Sequence, residues 1–358
     1  MDKNSKNIKS ALALSFLVSC AGILPHLWFS HIRNQWLYLI NSYDEGFYGF
    51  SGLLIADNVC ERVASNIVLQ LINKTVNSCS KTFFLCDLIF PAIICTISYS
   101  LFSLFFKTKR SITLATLCFI FSPEIFCNRS CLELDYLNIG KLIGKILGAI
   151  PDISAQIFIN NNQTNTFWIF RTPEPQISQA ITFSILFLSF KKWEVPIGQT
   201  TKKYFSIFKC LMFFVFPFCY NFVVLPFLPF ILAGYIIFLR KKAFFAPELW
   251  FLVLGLVVKI LFAVSSENHA QSFVFSSSAP SFTLSCIFSA IALFFIIIKS
   301  KKLAQIEKLA FVGFIIPILM CNQQVITGKM VMINNFENFS FPQLVFLSFA
   351  LMIGSRKK

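Results

Sequence analysis

The chain has 358 residues, of which 56% are hydrophobic, 13% are charged and 46 are phenylalanine. A soluble core does not need so many apolar side chains, so this composition excludes an ordinary soluble domain. The net charge of +15 is compatible with nucleic-acid binding. However, the basic residues flank apolar runs and form neither a basic stripe nor an RNA-binding signature. We therefore expect a protein of the lipid bilayer with no nucleic-acid partner.

The basic residues lie in small clusters between the apolar runs. When the runs are threaded through a bilayer, six clusters that hold 20 of the 31 Lys and Arg residues share one side with only four acidic residues. A basic excess in short loops marks the cytoplasmic face. The clusters are Lys3/Lys6/Lys9, Lys107/Lys109/Arg110, Lys191/Lys192/Lys202/Lys203, Arg240/Lys241/Lys242, Lys299/Lys301/Lys302 with Lys308, and Arg356/Lys357/Lys358.

A helix needs about 17 to 25 apolar residues to cross a bilayer, and the runs predict ten such spans. Both termini are then cytoplasmic, and a bacterial inner membrane fits this topology. The predicted fold class is an all-α polytopic membrane protein, a single integral membrane domain over 1–358 with long outer loops at 30–82 and 128–175. The predicted spans are 10–29, 83–106, 111–127, 176–190, 205–220, 223–239, 247–264, 281–298, 309–325 and 340–354.

Prolines and ionisable residues interrupt some of these spans. Pro217, Pro226 and Pro229 remove backbone donors, so we expect broken helices packed inside the bundle. Asp87 and Glu124 lie inside span ends, where an ionisable group is costly and is a functional candidate.

The first apolar stretch also resembles a signal peptide, and the sequence around Cys20 resembles a lipoprotein processing box. Because the apolar stretch continues through Trp28 toward spanning length, we expect an uncleaved first span.

The first outer loop contains the sequence Tyr43-Asp44-Glu45-Gly46-Phe47-Tyr48. Paired carboxylates just above a membrane suit a general base, or a divalent cation that neutralises a phosphate leaving group. The alternative is a polar turn broken by the glycine, with its aromatics in the interfacial belt. From Phe47 to Ile72 apolar residues recur at near-helical spacing, which predicts amphipathic helices on the outer leaflet.

An acidic pair soon after the first span, followed by amphipathic helices and a ladder of spans, resembles the GT-C superfamily of membrane glycosyltransferases. This superfamily includes protein O-mannosyltransferases and the aminoarabinose transferases of lipid A. The resemblance implies a polyprenyl-phosphate sugar donor and a catalytic base at Asp44. It also implies that Glu45 binds the acceptor or a divalent cation. Tyr48 belongs to the same motif and is a candidate substrate contact.

The second outer loop ends in Phe170-Arg171-Thr172-Pro173-Glu174-Pro175-Gln176. The guanidinium of Arg171 suits a donor phosphate at headgroup depth, and Gln176 is a candidate substrate contact. Alternatively, the prolines only mark a helix start and Arg171 snorkels to the interface. Earlier in the loop, Glu133 and Asp135 would not share a helix face, which argues against a metal site made by these two alone.

The last outer loop is rich in amides, and Asn322 and Gln323 are its candidate sugar contacts. Cysteines give less information. Cys60 with Cys79, and Cys127 with Cys131, are positioned for disulfides in an oxidising compartment. Three histidines and the absence of paired Cys motifs argue against zinc.

The preferred hypothesis is a cell-envelope glycosyltransferase that moves a sugar from a lipid-linked donor to a glycan, lipid or protein acceptor on the outer face. Apart from a possible divalent cation, no cofactor is expected. Two alternatives remain open: a polysaccharide polymerase or ligase, and a polytopic membrane transporter. A transporter would be expected to contain inverted repeats and polar groups at mid-bilayer.

The charge segregation predicts which loops an impermeant thiol reagent reaches. In a background without other reactive thiols, Asn160→Cys should label from outside intact cells, whereas Lys241→Cys should label only after permeabilisation. The opposite pattern would reverse the topology.

Overall fold

The computed structural model describes most of the apolar runs, and the structural statements that follow concern only the residues it describes. Their architecture confirms the all-α part of the predicted fold class, and the described strands are four segments of two or three residues. The described residues are 8–21, 63–127, 132–133, 175–194, 203–265, 274–276, 281–299, 303–323, 329–331, 336 and 340–355.

Eleven α-helices fall within the described residues, and short 3-10 helices follow α6 and α7. The α-helices are α1 (Ile8–Ala21), α2 (Val63–Val76), α3 (Cys79–Ser103), α4 (Lys109–Cys127), α5 (Gln176–Glu194), α6 (Lys203–Val215), α7 (Asn221–Leu239), α8 (Pro247–Ser265), α9 (Leu284–Lys299), α10 (Gln305–Cys321) and α11 (Phe341–Ser355). The 3-10 helices are Phe216–Phe218 and Arg240–Phe245.

The chain divides into two compact units. The first comprises Met1–Ile120, Asn162–Val224 and Lys241–His269. In this unit α3 packs along α5, and α6 packs along α8. Aromatic rings pack in its core. The ring centroid of Phe119 lies 5.3 Å from that of Phe102 and 4.7 Å from that of Phe183.

The second unit comprises Phe121–Asn161, Leu225–Arg240 and Ala270–Lys358. Here α10 packs against α9 and α11, and Phe314 contacts Phe349 with ring centroids 4.8 Å apart. Antiparallel strand pairs connect segments that the sequence assigns to outer loops or their borders. They are β1 (Leu132–Glu133) with β3 (Ser281–Phe282), and β2 (Val274–Ser276) with β4 (Lys329–Val331).

Each of the ten predicted spans overlaps a helix of the described chain, although some boundaries differ. Helix α9 begins at Leu284 and not at 281, because the two preceding residues form β3. Helix α10 begins at Gln305 and not at 309, because Glu307 accepts a 2.9 Å hydrogen bond from the Ala304 N–H and caps the helix. Polar capping residues do not register in a search for apolar runs. Residues 22–29 of the first span lie outside the described chain.

The expectation of broken helices is correct at one proline and wrong at the other two. At Pro217 the α-helix gives way to a 3-10 turn, and the next α-helix begins only at Asn221. Pro226 and Pro229, in contrast, lie inside the continuous helix α7. A proline removes one backbone donor and crowds the preceding turn, but a packed helix can absorb this locally.

Within the first unit, the helices run in the relative directions that an alternating topology requires. Helices α3 and α5, both predicted to run inward, are parallel. Asp87 contacts Gln176 near one end, and Phe105 contacts Phe190 near the other. Helices α6 and α8, both predicted to run outward, are parallel as well. Helix α1 is antiparallel to α3, because Ser15 and Ser19 contact progressively earlier residues of α3.

The second unit follows the same rule. Thr283 and Cys286 of α9 contact Cys321 and the Pro317 carbonyl of α10, in reverse order along the chain. Helices α9 and α10 are therefore antiparallel, as predicted for consecutive spans.

Two helical stretches of the described chain, Lys81–Ser103 and Asn221–Phe245, are long and apolar enough to cross a membrane on length and composition alone. Four other helices are apolar but shorter. They are Ile8–Ala21, Ser206–Phe218, Leu284–Ile298 and Phe341–Gly354.

The contact between α6 and α8 depends on Gly255. A Cβ atom at this position would overlap the carbonyl oxygen of Phe214 and crowd Pro217, and neither is a flexible side-chain end. We expect Gly255→Ala to lower stability by roughly 1–3 kcal/mol, despite the better helix propensity of alanine. Thermal unfolding in detergent measures the change. Leu254→Ala, next to it but half-exposed, is the control and should change little. A Gly255→Ala protein as stable as the wild type would show that the helices can separate at no cost.

Candidate functional site

An acidic side chain is buried in the first half of α3. Asp87 is 1% exposed, and Gln176, the first residue of α5, is fully buried. The Nε2 of Gln176 donates a hydrogen bond to Oδ1 of Asp87 at 3.3 Å. A buried carboxylate is stable only when polar partners replace water, and the amide is one such partner. The sequence indicates each residue separately as a functional candidate, and the structure brings the two together.

Helix α2 packs against the helix ends that carry this pair. Leu69 of α2 forms a buried cluster with Phe83 and Cys86 of α3 and with Ile177 of α5. This helix lies in the segment for which the sequence predicts amphipathic helices, so the later part of that segment is helical as predicted, and its place on the outer leaflet stays a prediction. Residues 47–62 lie outside the described chain. The cluster includes Cys86 and Ile177, the chain neighbours of Asp87 and Gln176, so apolar packing adjoins the buried polar pair.

The break between α6 and α7 is held by polar contacts to two other helices. The backbone N–H of Tyr220 donates to Oγ of Ser178 on α5 at 2.9 Å. The ammonium of Lys259 on α8 donates to the carbonyl oxygen of Pro217 at 2.5 Å and to Oδ1 of Asn221 at 2.6 Å. In an unbroken α-helix, the N–H of residue 221 would donate to that carbonyl. A side chain from another helix therefore takes the place of a backbone donor.

These contacts join α3, α5, the helix break and α8 at the end of the first unit that the topology prediction assigns to the outer face. One carboxylate and one ammonium flank amide and hydroxyl groups, a combination that suits a hydroxyl-rich or charged headgroup. We call this set the polar band. Its residues are Asp87, Gln176, Ser178, Tyr220, Asn221 and Lys259.

A second charged cluster lies at the opposite end of the same unit. Glu248 is 3% exposed, and its Oε1 lies 2.6 Å from Nζ of Lys192 and 2.9 Å from Nζ of Lys209. Lys209 is as deeply buried as Glu248, whereas Lys192 is one-third exposed. These three residues, the lysine–glutamate triad, come from α5, α6 and α8. The triad therefore fastens the predicted cytoplasmic ends of three helices.

The sequence does not predict the triad. In the sequence, Lys209 is a basic residue inside an apolar run and Glu248 is one of the four acids on the basic side, but nothing there gives a reason to pair them. A usable signal is that each is an isolated charge near a predicted cytoplasmic span end, where burial requires an opposite charge.

Most of the predicted catalytic and donor-binding residues lie outside the described chain. They are Asp44, Glu45, Tyr48 and Arg171. Of the predicted contacts in the first two outer loops, Gln176 is therefore the one that the structure describes, and it belongs to the polar band.

The two predicted sugar contacts of the last loop lie at the end of α10, in the second unit. Asn322 terminates the helix, and its Nδ2 donates to the carbonyl oxygen of Ile318 at 3.0 Å. Helix termination thus explains one of its hydrogen bonds without a ligand. Gln323 follows it and is half-buried.

In the described part of the chain, no three His, Cys, Asp or Glu side chains are grouped closely enough to hold a metal ion. The predicted metal ligand, Glu45, is not part of that search. Likewise, the two predicted disulfides involve Cys60 and Cys131, which lie outside the described residues.

Comparison of the chain with models of protein families, with curated proteins and with solved structures gave no match.

The lysine–glutamate triad yields a prediction about stability. Glu248→Gln leaves the buried ammonium of Lys209 without its carboxylate, and removing one partner of a buried ion pair typically costs roughly 3–5 kcal/mol. Lys209→Met in the same chain removes the stranded charge, so the double variant should recover most of the loss. Thermal unfolding of the two single variants and the double variant measures this coupling. Additive losses would show that the two side chains do not depend on each other.

Proposed function

We propose that the chain is an integral membrane protein with ten spans and cytoplasmic termini, located in a bacterial inner membrane. The helix directions in each unit support this, because they agree with an alternating threading of the sequence. The distribution of side chains supports it as well. Large apolar residues are exposed along α8 and α9, among them Leu261 at 63% and Ile297 at 67%.

Small polar residues, in contrast, are concentrated between the helices. Ser15 and Ser19 of α1, Ser98 of α3 and Thr182 of α5 are all buried. In water the opposite distribution is favourable, whereas in a bilayer lipid solvates the apolar faces and small hydroxyl residues allow helices to approach closely. Buried serines beside exposed leucines and isoleucines therefore favour lipid as the solvent of these helices.

Within this membrane protein, we propose a glycosyltransferase of the GT-C kind acting on the outer face. The observation that carries the proposal is the buried Asp87–Gln176 pair at the start of α5. It anchors α5, which begins five residues after Arg171. The predicted phosphate ligand is therefore followed in the sequence by a helix start that a buried hydrogen bond holds in place. Polar groups fixed at headgroup depth suit a lipid-linked sugar, whose phosphate and hydroxyl groups lie at that level.

The proposed chemistry assigns one task to Asp44, which activates the acceptor, and another to Arg171, which stabilises the leaving group. Asp44 removes the proton from the acceptor hydroxyl as that hydroxyl attacks the anomeric carbon. The bond from the anomeric carbon to the phosphate oxygen breaks, and the polyprenyl phosphate leaves with the electron pair. Arg171 stabilises the charge that develops on this phosphate, assisted by a cation at Glu45 if one is bound. Tyr48, Gln176, Asn322 and Gln323 are the proposed contacts to the sugar and acceptor.

A transporter is the second candidate, and the helix break at Pro217 is the observation that favours it. Transporters use discontinuous helices whose freed carbonyls bind substrates or coupling ions. Here a freed carbonyl binds Lys259, and the buried Asp87 lies in the same polar band. In that case Asp87 and Lys259 carry the function, and Asp44 is a residue of a polar turn.

The two functions differ in their dependence on the outer loops. We expect Asp44→Asn to abolish sugar transfer with normal membrane insertion, because the amide keeps the shape but cannot accept a proton. Arg171→Lys should lower the rate, and Arg171→Ala should lower it further, by about 100-fold, since Lys keeps the charge but not the bidentate fork. Release of polyprenyl phosphate is measured in vesicles that contain polyprenyl-phosphate mannose or polyprenyl-phosphate aminoarabinose.

Arg129→Lys, in the same outer loop, is the matched control and should behave like the wild type. Wild-type rates in both Asp44→Asn and Arg171→Lys would remove the enzymatic assignment. If, in addition, Lys259→Met abolished solute flux into the same vesicles, the transporter would be the correct alternative.

A further inference from the structure

The segment that connects α7 to α8, together with the first turn of α8, combines exposed lysines with exposed aromatic rings. Phe245 is 84% exposed, Phe244 is 76% exposed, and Trp250 in the first turn of α8 is 63% exposed. Lys241 and Lys242 are exposed beside them. We call these five residues the basic aromatic patch. Rings this large are rarely left in water in such a group, so the patch indicates an apolar or interfacial environment.

The patch is ordered by its own contacts. The indole Nε1 of Trp250 donates to the carbonyl oxygen of Phe244 at 2.9 Å, which ties the connecting segment to α8. Ala243 and Ala246, on either side of the two phenylalanines, are buried. The small residues therefore anchor the segment, and the large rings are left on the outside. The rings are therefore exposed although the segment that carries them is held in place.

We propose that the basic aromatic patch binds anionic phospholipid headgroups of the cytoplasmic leaflet. Phenylalanine and tryptophan rings favour the boundary between headgroups and acyl chains, and ammonium groups beside them suit lipid phosphates. The inference rests on the membrane orientation proposed above, but it is independent of the transfer chemistry. It adds a lipid preference that neither the enzyme nor the transporter requires.

Another basic cluster on the same predicted side separates the effect of charge from that of the aromatic rings. Lys107 and Lys109 are also exposed, but the neighbouring Phe105 is buried and Phe106 is half-buried. Both clusters attract an anionic surface over a long range. Of the two clusters, only the patch adds largely exposed rings beside its lysines, so the pair separates the effect of charge from that of the rings.

The test measures lipid retention by the full chain in neutral detergent. Equal amounts of phosphatidylglycerol and phosphatidylcholine are added, and bound lipids are counted by native mass spectrometry. The wild type should retain phosphatidylglycerol in preference. Lys241→Gln with Lys242→Gln should lower that preference by roughly 25-fold, at about fivefold per lysine. Lys107→Gln with Lys109→Gln should largely preserve it.

Phe244→Ser with Phe245→Ser keeps both charges and should weaken the retention of both lipids. Equal retention of the two lipids by the wild type, or equal loss in the two lysine double variants, would overturn the inference. A second measurement leaves the lysines and phenylalanines of the patch unchanged and so does not depend on how those variants fold. Brominated phosphatidylglycerol should quench Trp250 fluorescence, measured as the difference from Trp250→Phe, more strongly than brominated phosphatidylcholine. Equal quenching would also overturn the inference, and it would leave the proposed sugar transfer untouched.

Discussion

The carboxylate of Glu248 is shared between two lysines, and the arrangement of α5, α6 and α8 depends on that sharing. Lys209 and Glu248 are both removed from solvent, so neither charge is stable at this depth without the other. The polar band lies at the other end of the same helices. Polar contacts therefore fix both ends, and the apolar stretches between them pack by shape, most tightly at Gly255. Mutual satisfaction of buried polar groups determines which helices are neighbours, because apolar packing alone discriminates weakly between them.

How much of this could be predicted from the sequence depends on the range of the interaction. Helix positions follow from local composition, so the ten apolar runs locate ten of the eleven described α-helices. The short strands join segments far apart in the chain and have no local signature. Proline has the same chemistry at positions 217, 226 and 229, yet only the first ends an α-helix, because tertiary packing decides whether the lost donor is replaced.

The candidate site shows the same division. The cost of burying a carboxylate identifies Asp87 from sequence alone. Its partner Gln176 lies 89 residues further along the chain, and no spacing rule connects the two. Lys259 is likewise visible as an unusual cation in an apolar run, but its acceptors are a carbonyl and an amide that the helix break exposes. The sequence therefore identifies the charged groups whose burial is unfavourable, but it does not identify the partners that stabilise them.

The contact between Lys259 and Pro217 has a consequence for biosynthesis. The carbonyl oxygen of Pro217 is made 42 residues before the ammonium that it accepts from. When α6 and the helix break leave the ribosome, Lys259 has not yet emerged, so another donor must occupy that carbonyl in the interval. In the proposed membrane topology, the helix break cannot be fully dehydrated before Lys259 arrives. Insertion of α6 is therefore completed only together with that of α8.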